Sequence, residues 1–186
     1  MDAALRYAAR GWPVLPLHGI RDRGCTCGRP DCSSPGKHPR TARGLKDATT
    51  DNQRIKAWWQ QWPDANVGVA TGNTSGLVVL DVDPRNGGDD ILDDLLAAHG
   101  PLPETIESVT GGGGRHLFFK HPGGLIRTRP NALGRGLDLK ADGGYIVAPP
   151  SLHANGRRYE WELSSDPKDV AVADCPGWLL DSAVAE

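Results

Sequence analysis

The chain has 186 residues, 38% of them hydrophobic, which suffices for one sizeable core and predicts a single domain over 1–186. Its formal net charge is −2, and no stretch approaches the roughly 18 consecutive apolar residues of a membrane span, so a helical membrane protein is excluded and no membrane partner is expected. The first residues lack the charged-then-apolar layout of a secretory signal, and we therefore expect a cytoplasmic protein.

The first third of the chain predicts two helices separated by a strand and a long loop. Residues 1–10 form the first helix, which Gly11 closes, and 12–17 form an edge strand that tolerates proline. A loop rich in glycine, proline and cysteine follows over 18–44. The second helix starts at the capping box 50–53 and ends before the next proline. Its apolar residues recur at helical spacing, and we expect them in the core, with base stacking as the alternative for the tryptophans: Ile55, Trp58, Trp59 and Trp62.

Strands dominate the middle of the chain. Apolar or alternating runs bounded by turn residues predict them at 67–70, 77–83, 105–110, 116–120, 136–140, 145–148 and 158–163. Two further helices are predicted, one over 89–98 and one around 178–180. Residues 142–144 predict a hairpin turn between two of the strands. This order of elements is typical of an α+β fold and not of alternating βαβ units.

Charge is segregated along the sequence. Lys and Arg outnumber acids seven to two in 18–46 and six to one in 115–140, whereas 81–107 carries eight acids and one Arg. One interpretation is a pair of basic walls around an acidic metal centre, which would suit a polyanionic substrate. The alternative is scattered surface charge, because segregation along the chain need not survive folding.

Two aspartates at the end of the apolar run 77–80 are the most informative feature of the sequence. Side chains of a strand alternate, so Asp81 and Asp83 share one face, roughly 7 Å apart, while Val82 points to the other face. Carboxylates at this distance repel unless a cation neutralises them, and oxygen ligands suit Mg²⁺ or Mn²⁺. A solvated strand end is the alternative, since 83–88 is rich in turn residues.

Two later segments supply further polar groups. A glycine run, 111–114, delivers Arg115 and His116 at the start of a strand, where they either contact phosphate oxygens or lie on a surface hairpin. Asp138 shares one face of its strand with Lys140. A third carboxylate from a neighbouring strand would complete a metal-binding triad.

Three cysteines and a histidine lie within fourteen residues of the glycine- and proline-rich loop: Cys25, Cys27, Cys32 and His38. They match a closed Cys₃His zinc site, which would be structural because four protein ligands leave no open position. The one-residue gap between the first two cysteines departs from the usual spacing. The alternative is a disulfide with a spare thiol, which needs an oxidising compartment. Cys175 stands alone and is expected to be a small buried side chain.

The order of these motifs resembles that of the bifunctional primase-polymerase (prim-pol) domain of the archaeo-eukaryotic primase superfamily, found in phage and plasmid replication proteins. The motifs are Asp81-Val82-Asp83, the Gly-Arg-His that ends at His116, Leu137-Asp138 and Ala148-Pro149-Pro150-Ser151. The resemblance extends over nearly the whole chain through Gly11-Trp12-Pro13-Val14, Thr71-Gly72 and Gly143-Gly144-Tyr145. Such an ordered set is more specific than any one of its members.

The resemblance implies an RRM-like catalytic core of mostly antiparallel strands with flanking helices, and template-directed nucleotidyl transfer as the activity of a DNA polymerase and primase. Two Mg²⁺ or Mn²⁺ ions would be bound by three catalytic carboxylates, those of Asp81, Asp83 and Asp138. His116 corresponds to the family's small-x-His motif and would contact the phosphates of the incoming nucleotide. Weaker assignments as nucleotide contacts fall on Lys37, Arg115, Ser151 and His153.

The resemblance also implies partners and a setting. The substrates would be a DNA template-primer and nucleoside triphosphates. The chain would be the N-terminal part of a longer replication protein with a C-terminal helicase, in the cytoplasm of a bacterial host. Residues 18–46 would be an inserted zinc-binding element, since the family often carries one. Its place before the aspartate pair leaves its contact with the template open.

Two other functions stay open from the residues. A two-metal nuclease would use the same carboxylates to activate water in place of a primer 3′-hydroxyl. A non-catalytic, zinc-stabilised DNA-binding module would use none of them. Its DNA binding would depend on salt, but not on Mg²⁺, Mn²⁺ or nucleotides.

Overall fold

The fold joins a larger and a smaller β-sheet, and helices pack on both. The computed structural model describes residues 1–184, so the last two residues of the predicted domain lie outside the description. The helices are α1 (Asp2–Ala9), α2 (Asn52–Gln61), α3 (Gly88–His99) and α4 (Gly177–Val184). The strands are β1 (Val14–Leu17), β2 (Ile20–Arg21), β3 (Gly24–Cys25), β4 (Asn66–Ala70), β5 (Leu77–Val82), β6 (Glu107–Val109), β7 (Arg115–Lys120), β8 (Leu137–Lys140), β9 (Tyr145–Ala148), β10 (Glu160–Trp161) and β11 (Ala173–Asp174). The predicted α+β class is confirmed.

The larger sheet has the strand order β10-β6-β7-β5-β8, and neighbours along this path are antiparallel. β11 adds to the end of β7 as a parallel strand. The chain order β5, α3, β6, β7, β8 gives the spatial order β6-β7-β5-β8, which is that of an RRM-like sheet. Residues 121–136, all of which the structure describes, connect β7 to β8 without a helix. The RRM-like core is therefore present without its second helix.

The smaller sheet has the order β1-β4-β9, again antiparallel, and β1 lies at its edge as the sequence predicts. Its last strand corrects one prediction. The turn at 142–144 does not close a hairpin, because β8 pairs with β5 in the larger sheet whereas β9 pairs with β4 in the smaller one. The chain also changes sheets between β4 and β5. The two connections in which the chain passes from one sheet to the other, β4–β5 and β8–β9, lie side by side. The Thr71 hydroxyl in the first donates to the carbonyl oxygen of Ala141 in the second at 2.7 Å.

Each face of the larger sheet packs against a separate hydrophobic cluster. The inner face, which carries Val79 and Phe118, packs against the smaller sheet, α1 and α2. The outer face, which carries Leu80 and Leu139, is covered by α3 and α4. The tryptophans of α2 and its end belong to the inner cluster or pack against it, as predicted: Trp58, Trp59 and Trp62. These two clusters decide which face of each strand is free to carry polar groups.

Most element boundaries differ from the prediction by one or two residues. The strand predicted over 158–163 is an exception, because only β10 forms and the chain enters a 3-10 helix at Leu163–Ser165. The β2–β3 hairpin and β11 were not predicted, since strands of two residues are too short to show alternation. Within residues 1–184, no helix combines the length and the apolar character needed to cross a membrane.

The start of α2 corrects the predicted capping box. The N-cap is Asp51, whose carboxylate accepts hydrogen bonds from the backbone N–H groups of Gln53 and Arg54 at 2.8 and 3.3 Å. Gln53 therefore lies one position too early to close the reciprocal bond of a capping box. A carboxylate is also favoured at this point because the amino-terminal end of a helix carries partial positive charge.

We predict that Asp51→Ala lowers the free energy of unfolding by about 1 kcal/mol, because two N–H groups of α2 lose their acceptor. Thr50→Ala is the matched control, since Thr50 is exposed, and it should change stability by less than about 0.5 kcal/mol. Urea unfolding followed by tryptophan fluorescence measures both variants. A larger loss for Thr50→Ala would place the cap at Thr50 after all.

Candidate active site

Four polar side chains form one row across the inner face of the larger sheet. Asp81 on β5 lies directly opposite His116 on β7 and opposite Asp138 on β8, and Ser108 on β6 lies opposite His116. Cβ atoms of residues paired in this way lie about 5 Å apart. The row follows from strand alternation, since the pleat that buries Val82 in the outer cluster turns Asp81 to the inner face. Residues far apart in sequence are thereby brought together.

Asp83 follows β5 and lies two residues beyond Asp81, in a tight turn. Its Oδ1 accepts the backbone N–H of Arg85 at 3.1 Å, and its Oδ2 accepts the side-chain amide of Asn86 at 2.8 Å. Partial burial acts to raise the pKa of Asp83, but the bonds and charge of Arg85 prevail and lower it. The turn packs so closely that a Cβ on Gly136, whose φ is +80°, would meet the carbonyl oxygen of Asp83. This carboxylate is therefore ionised and fixed in place.

A lysine lies between two of the carboxylates. The Nζ atom of Lys140 is 2.7 Å from Asp138 Oδ2 and 3.7 Å from Asp81 Oδ2, and its side chain is only 22% exposed. Two carboxylates directly opposite each other repel, and the ammonium offsets that repulsion. The backbone N–H of Asn131 donates to the second oxygen of Asp138 at 2.8 Å. The oxygen donors suit Mg²⁺ or Mn²⁺, and a cationic group already stands among them.

His116 is buried next to Asp81 and is held by a hydroxyl group. Its Nδ1 lies 3.4 Å from Ser108 Oγ, and its Nε2 lies 3.6 Å from Asp81 Oδ1. Burial lowers the pKa of His116, Asp81 opposes this shift, and Lys140 adds to it. The imidazole is therefore neutral near pH 7. The Asp81 carboxylate can only accept, so the hydrogen of the neutral ring is favoured on Nε2, which leaves Nδ1 to accept from Ser108.

Three members of the row, Asp81, His116 and Asp138, line an open cleft of about 640 Å³, a volume in the range of small-molecule sites. The turn around Asp83 and the segments 128–131 and 143–147 line it as well. Three basic side chains join them: Lys37, Arg85 and Lys140. Acidic groups on β5 and β8 thus face a cleft with basic groups around it, as one interpretation of the charge segregation expects.

The structure adds residues that the sequence did not assign to the site: Arg85, Ser108, Lys140 and Tyr159. The ring of Tyr159 lies 6.3 Å from that of His116 and 6.2 Å from that of His153. Burial raises the pKa of Tyr159, and Asp81 raises it further, so the phenol stays protonated. The alternation of side chains along β8 could have predicted that Lys140 lies at the site. No local sequence pattern predicts Tyr159 or Ser108, because their positions depend on how distant segments pack.

Three of the predicted nucleotide contacts do not line the cleft. Arg115 turns to the outer face, where it pairs with Asp89 of α3 at 3.4 Å, because neighbouring residues of a strand point to opposite faces. Ser151 is buried, and its hydroxyl oxygen accepts the N–H of Val67 at 2.9 Å. His153 lies beside the cleft, against the tyrosine that lines it.

The cysteine loop forms a second cluster, in which the ligand atoms already converge. One atom each from Cys25, Cys27, Cys32 and His38 lies within 4.8 Å of all the others. The Nε2 atom of His38 is 3.4 Å from Cys25 Sγ and 3.5 Å from Cys32 Sγ. Burial, and then the charge of Arg29, lowers the pKa of His38, which favours the neutral form that binds metals. The thiols are free, and the set fits a tetrahedral Zn²⁺ site.

Most of the chain matches a known protein family. A family model described as "Prim-Pol: Bifunctional DNA primase/polymerase, N-terminal" matches residues 4–178. No curated protein matches the chain.

Lys140→Met should lower the free energy of unfolding in metal-free buffer by about 1 kcal/mol, because Asp81 and Asp138 then repel with no cation between them. Adding Mn²⁺ should raise the melting temperature of this variant more than that of the parent, since the ion replaces the ammonium. The matched control is Lys120→Met, because Lys120 is 59% exposed and pairs with the exposed Asp174. Scanning fluorimetry compares the proteins, and an equal Mn²⁺ shift in all of them would contradict this role of Lys140.

Proposed function

Because the chain belongs to the family of bifunctional DNA primase/polymerase N-terminal domains, which supports a nucleotidyltransferase-type function in replication, we propose that it extends a DNA primer on a template by two-metal catalysis. Its substrates are a template-primer and nucleoside triphosphates. One observation carries the proposal: register places Asp81 directly between Asp138 and His116, beside a cleft large enough for a nucleotide.

The divalent ions would be held by three carboxylates, those of Asp81, Asp83 and Asp138. These side chains supply the hard oxygen ligands that such ions prefer. The ammonium of Lys140 lies 2.7 Å from Asp138, so these oxygens already contact one cationic group. When bound, two such ions supply activation of the primer 3′-hydroxyl and charge stabilisation on the triphosphate. The paired strands hold the carboxylates in position before substrate arrives, which limits the reorganisation needed during reaction.

The remaining groups around the cleft would bind and orient the nucleotide. His116 donates from Nε2 to a phosphate oxygen, and Asp81 and Ser108 favour the ring tautomer that makes this possible. Lys37 and Arg85 offset the negative charge of the triphosphate. His153, next to the cleft, lies near enough to Tyr159 to support its position against the nucleotide.

A structural Zn²⁺ ion would be held by the Cys₃His cluster of the loop. The family further suggests a C-terminal helicase in a longer replication protein, acting on phage or plasmid DNA in a bacterial cytoplasm. Such a helicase would supply single-stranded template to the cleft. Primer extension is the activity expected of this chain alone.

Asp81→Asn and Asp138→Asn should each reduce primer extension on the order of a thousandfold, because a bound divalent ion contributes several kcal/mol to the transition state. Asp94→Asn is the matched control, since Asp94 is an exposed acid of α3, and it should extend normally. The assay uses a labelled primer on a longer template, four deoxynucleotides and Mg²⁺ or Mn²⁺. Circular dichroism checks that every variant is folded.

The same assay separates the alternative functions. A polymerase is supported if only the parent and Asp94→Asn extend the primer and release pyrophosphate. Shortening of the labelled DNA without nucleotides would indicate a two-metal nuclease. Tight DNA binding by all variants, insensitive to Mg²⁺, Mn²⁺ and nucleotides and without turnover, would indicate a DNA-binding module.

His116→Ala should raise the Kd for a deoxynucleoside triphosphate about tenfold, the loss expected for one hydrogen bond to a charged group. His99→Ala is the control, because His99 is exposed at the end of α3. Fluorescence anisotropy with a labelled nucleotide in the presence of Mg²⁺ measures both. Equal affinity in His116→Ala and the parent would contradict the phosphate contact.

A further inference from the structure

Lys37 connects the cysteine loop to the cleft. It lies one residue before the ligand His38 and also lines the cleft beside the carboxylate row. Burial lowers the pKa of His116, and the charge of Lys37 adds to this shift, which places that charge near the imidazole. One short segment therefore carries both a zinc ligand and a cation of the proposed nucleotide site.

Within the part of the chain that the structure describes, Lys37 differs from the other basic residues of the cleft because it has no acidic partner. Arg85 pairs with Asp83, and Lys140 pairs with Asp138. Lys37 forms no ion pair within residues 1–184. A cation that balances no carboxylate of its own protein is available to a substrate anion, and the triphosphate is the most highly charged part of a nucleotide.

The backbone around Lys37 is tied to the smaller sheet. Three consecutive carbonyl groups, those of residues 36–38, accept hydrogen bonds from its strands or from the residue after β1. The donors, in the same order, are the Asn66 side-chain amide at 2.8 Å, the Tyr145 hydroxyl at 3.0 Å and the His18 N–H at 2.9 Å. These bonds hold the end of the loop that carries Lys37 beside the cleft.

The rest of the loop has no core of its own. All of residues 21–35 are described, and none of them is buried. Its regular structure is limited to the two-residue strands β2 and β3. A loop of this kind gains order from its metal, because the free energy of metal binding offsets the conformational entropy that burial cannot offset.

We propose that zinc bound by the Cys₃His cluster positions Lys37 against the triphosphate of the incoming nucleotide, so that zinc and nucleotide binding are coupled. The inference rests on the proposed function and assigns the zinc element a part in it. Loss of zinc leaves the segment that carries Lys37 held only by its hydrogen bonds to the smaller sheet and the residue after β1, and the charge-assisted contact with the nucleotide then weakens.

The test measures the Kd of a labelled deoxynucleoside triphosphate with Mg²⁺ in the parent, Lys37→Met, Cys32→Ser and the double variant. Each single variant should weaken binding about tenfold, and the double variant should be no weaker than either, since both remove the same contact. Lys46→Met and Cys175→Ser are matched controls that should keep parent affinity and, by metal analysis, one zinc per chain. Lys46 is an exposed cation of the same basic stretch, and Cys175 is a thiol outside the cluster.

The outcomes separate this inference from the function on which it rests. No nucleotide binding by the parent would overturn both. Normal affinity in a zinc-free Cys32→Ser protein would overturn the coupling alone. A loss in the double variant of about a hundredfold, the product of the two single losses, would also overturn it.

A second measurement applies even when Cys32→Ser does not fold. Coupling between two ligands is reciprocal in binding free energy, so saturating nucleotide should protect zinc against an equilibrium competition with a colorimetric chelator, with the Kd for zinc about tenfold lower in the parent. Lys37→Met should show no such protection, and it also controls for zinc binding by the nucleotide itself. Equal protection of both proteins would overturn the proposal.

Discussion

The repulsion between Asp81 and Asp138 is the constraint on which the rest of the site depends. Antiparallel pairing sets them directly opposite each other, where like charges destabilise a sheet. The larger sheet tolerates this pair because the ammonium of Lys140 lies between the carboxylates. A divalent ion would meet the same need with twice the charge. The repulsion that makes this part of the sheet locally unfavourable would thus also favour binding of the proposed metal ions.

The division into two sheets determines where such a site can exist. Val79 and Phe118 pair across β5 and β7, on the same face as Asp81 and His116 and two residues along the strands. The apolar pair packs against the smaller sheet, whereas the polar pair faces the cleft, which residues of β9 also line. β5 and β7 therefore supply both core residues and site residues from one face. Close packing of the apolar pair holds the polar pair in position.

Features that depend on local pattern could be predicted from the sequence, and those that depend on packing between distant segments could not. Alternation predicts that Asp81 and Val82 lie on opposite faces of β5, as the structure shows, and the same rule excludes Arg115 from the face of its neighbour. The hairpin at 142–144 was wrong because a glycine-rich turn looks the same whether its strands pair or separate into two sheets. Tyr159 lines the cleft only because distant segments pack together, and no local sequence pattern predicts its position.

The dependence of the row on strand register also shapes how this chain tolerates change over evolution. An insertion at 100–104, in the connection between α3 and β6, leaves the pairing of β5, β7 and β8 untouched. One extra residue inside β5 would instead turn Asp81 into the outer cluster and bring Leu80 toward the cleft. Changes in length should therefore accumulate in the connections and be removed by selection from three short strands, so that the arrangement of the acids outlasts most of the sequence around them.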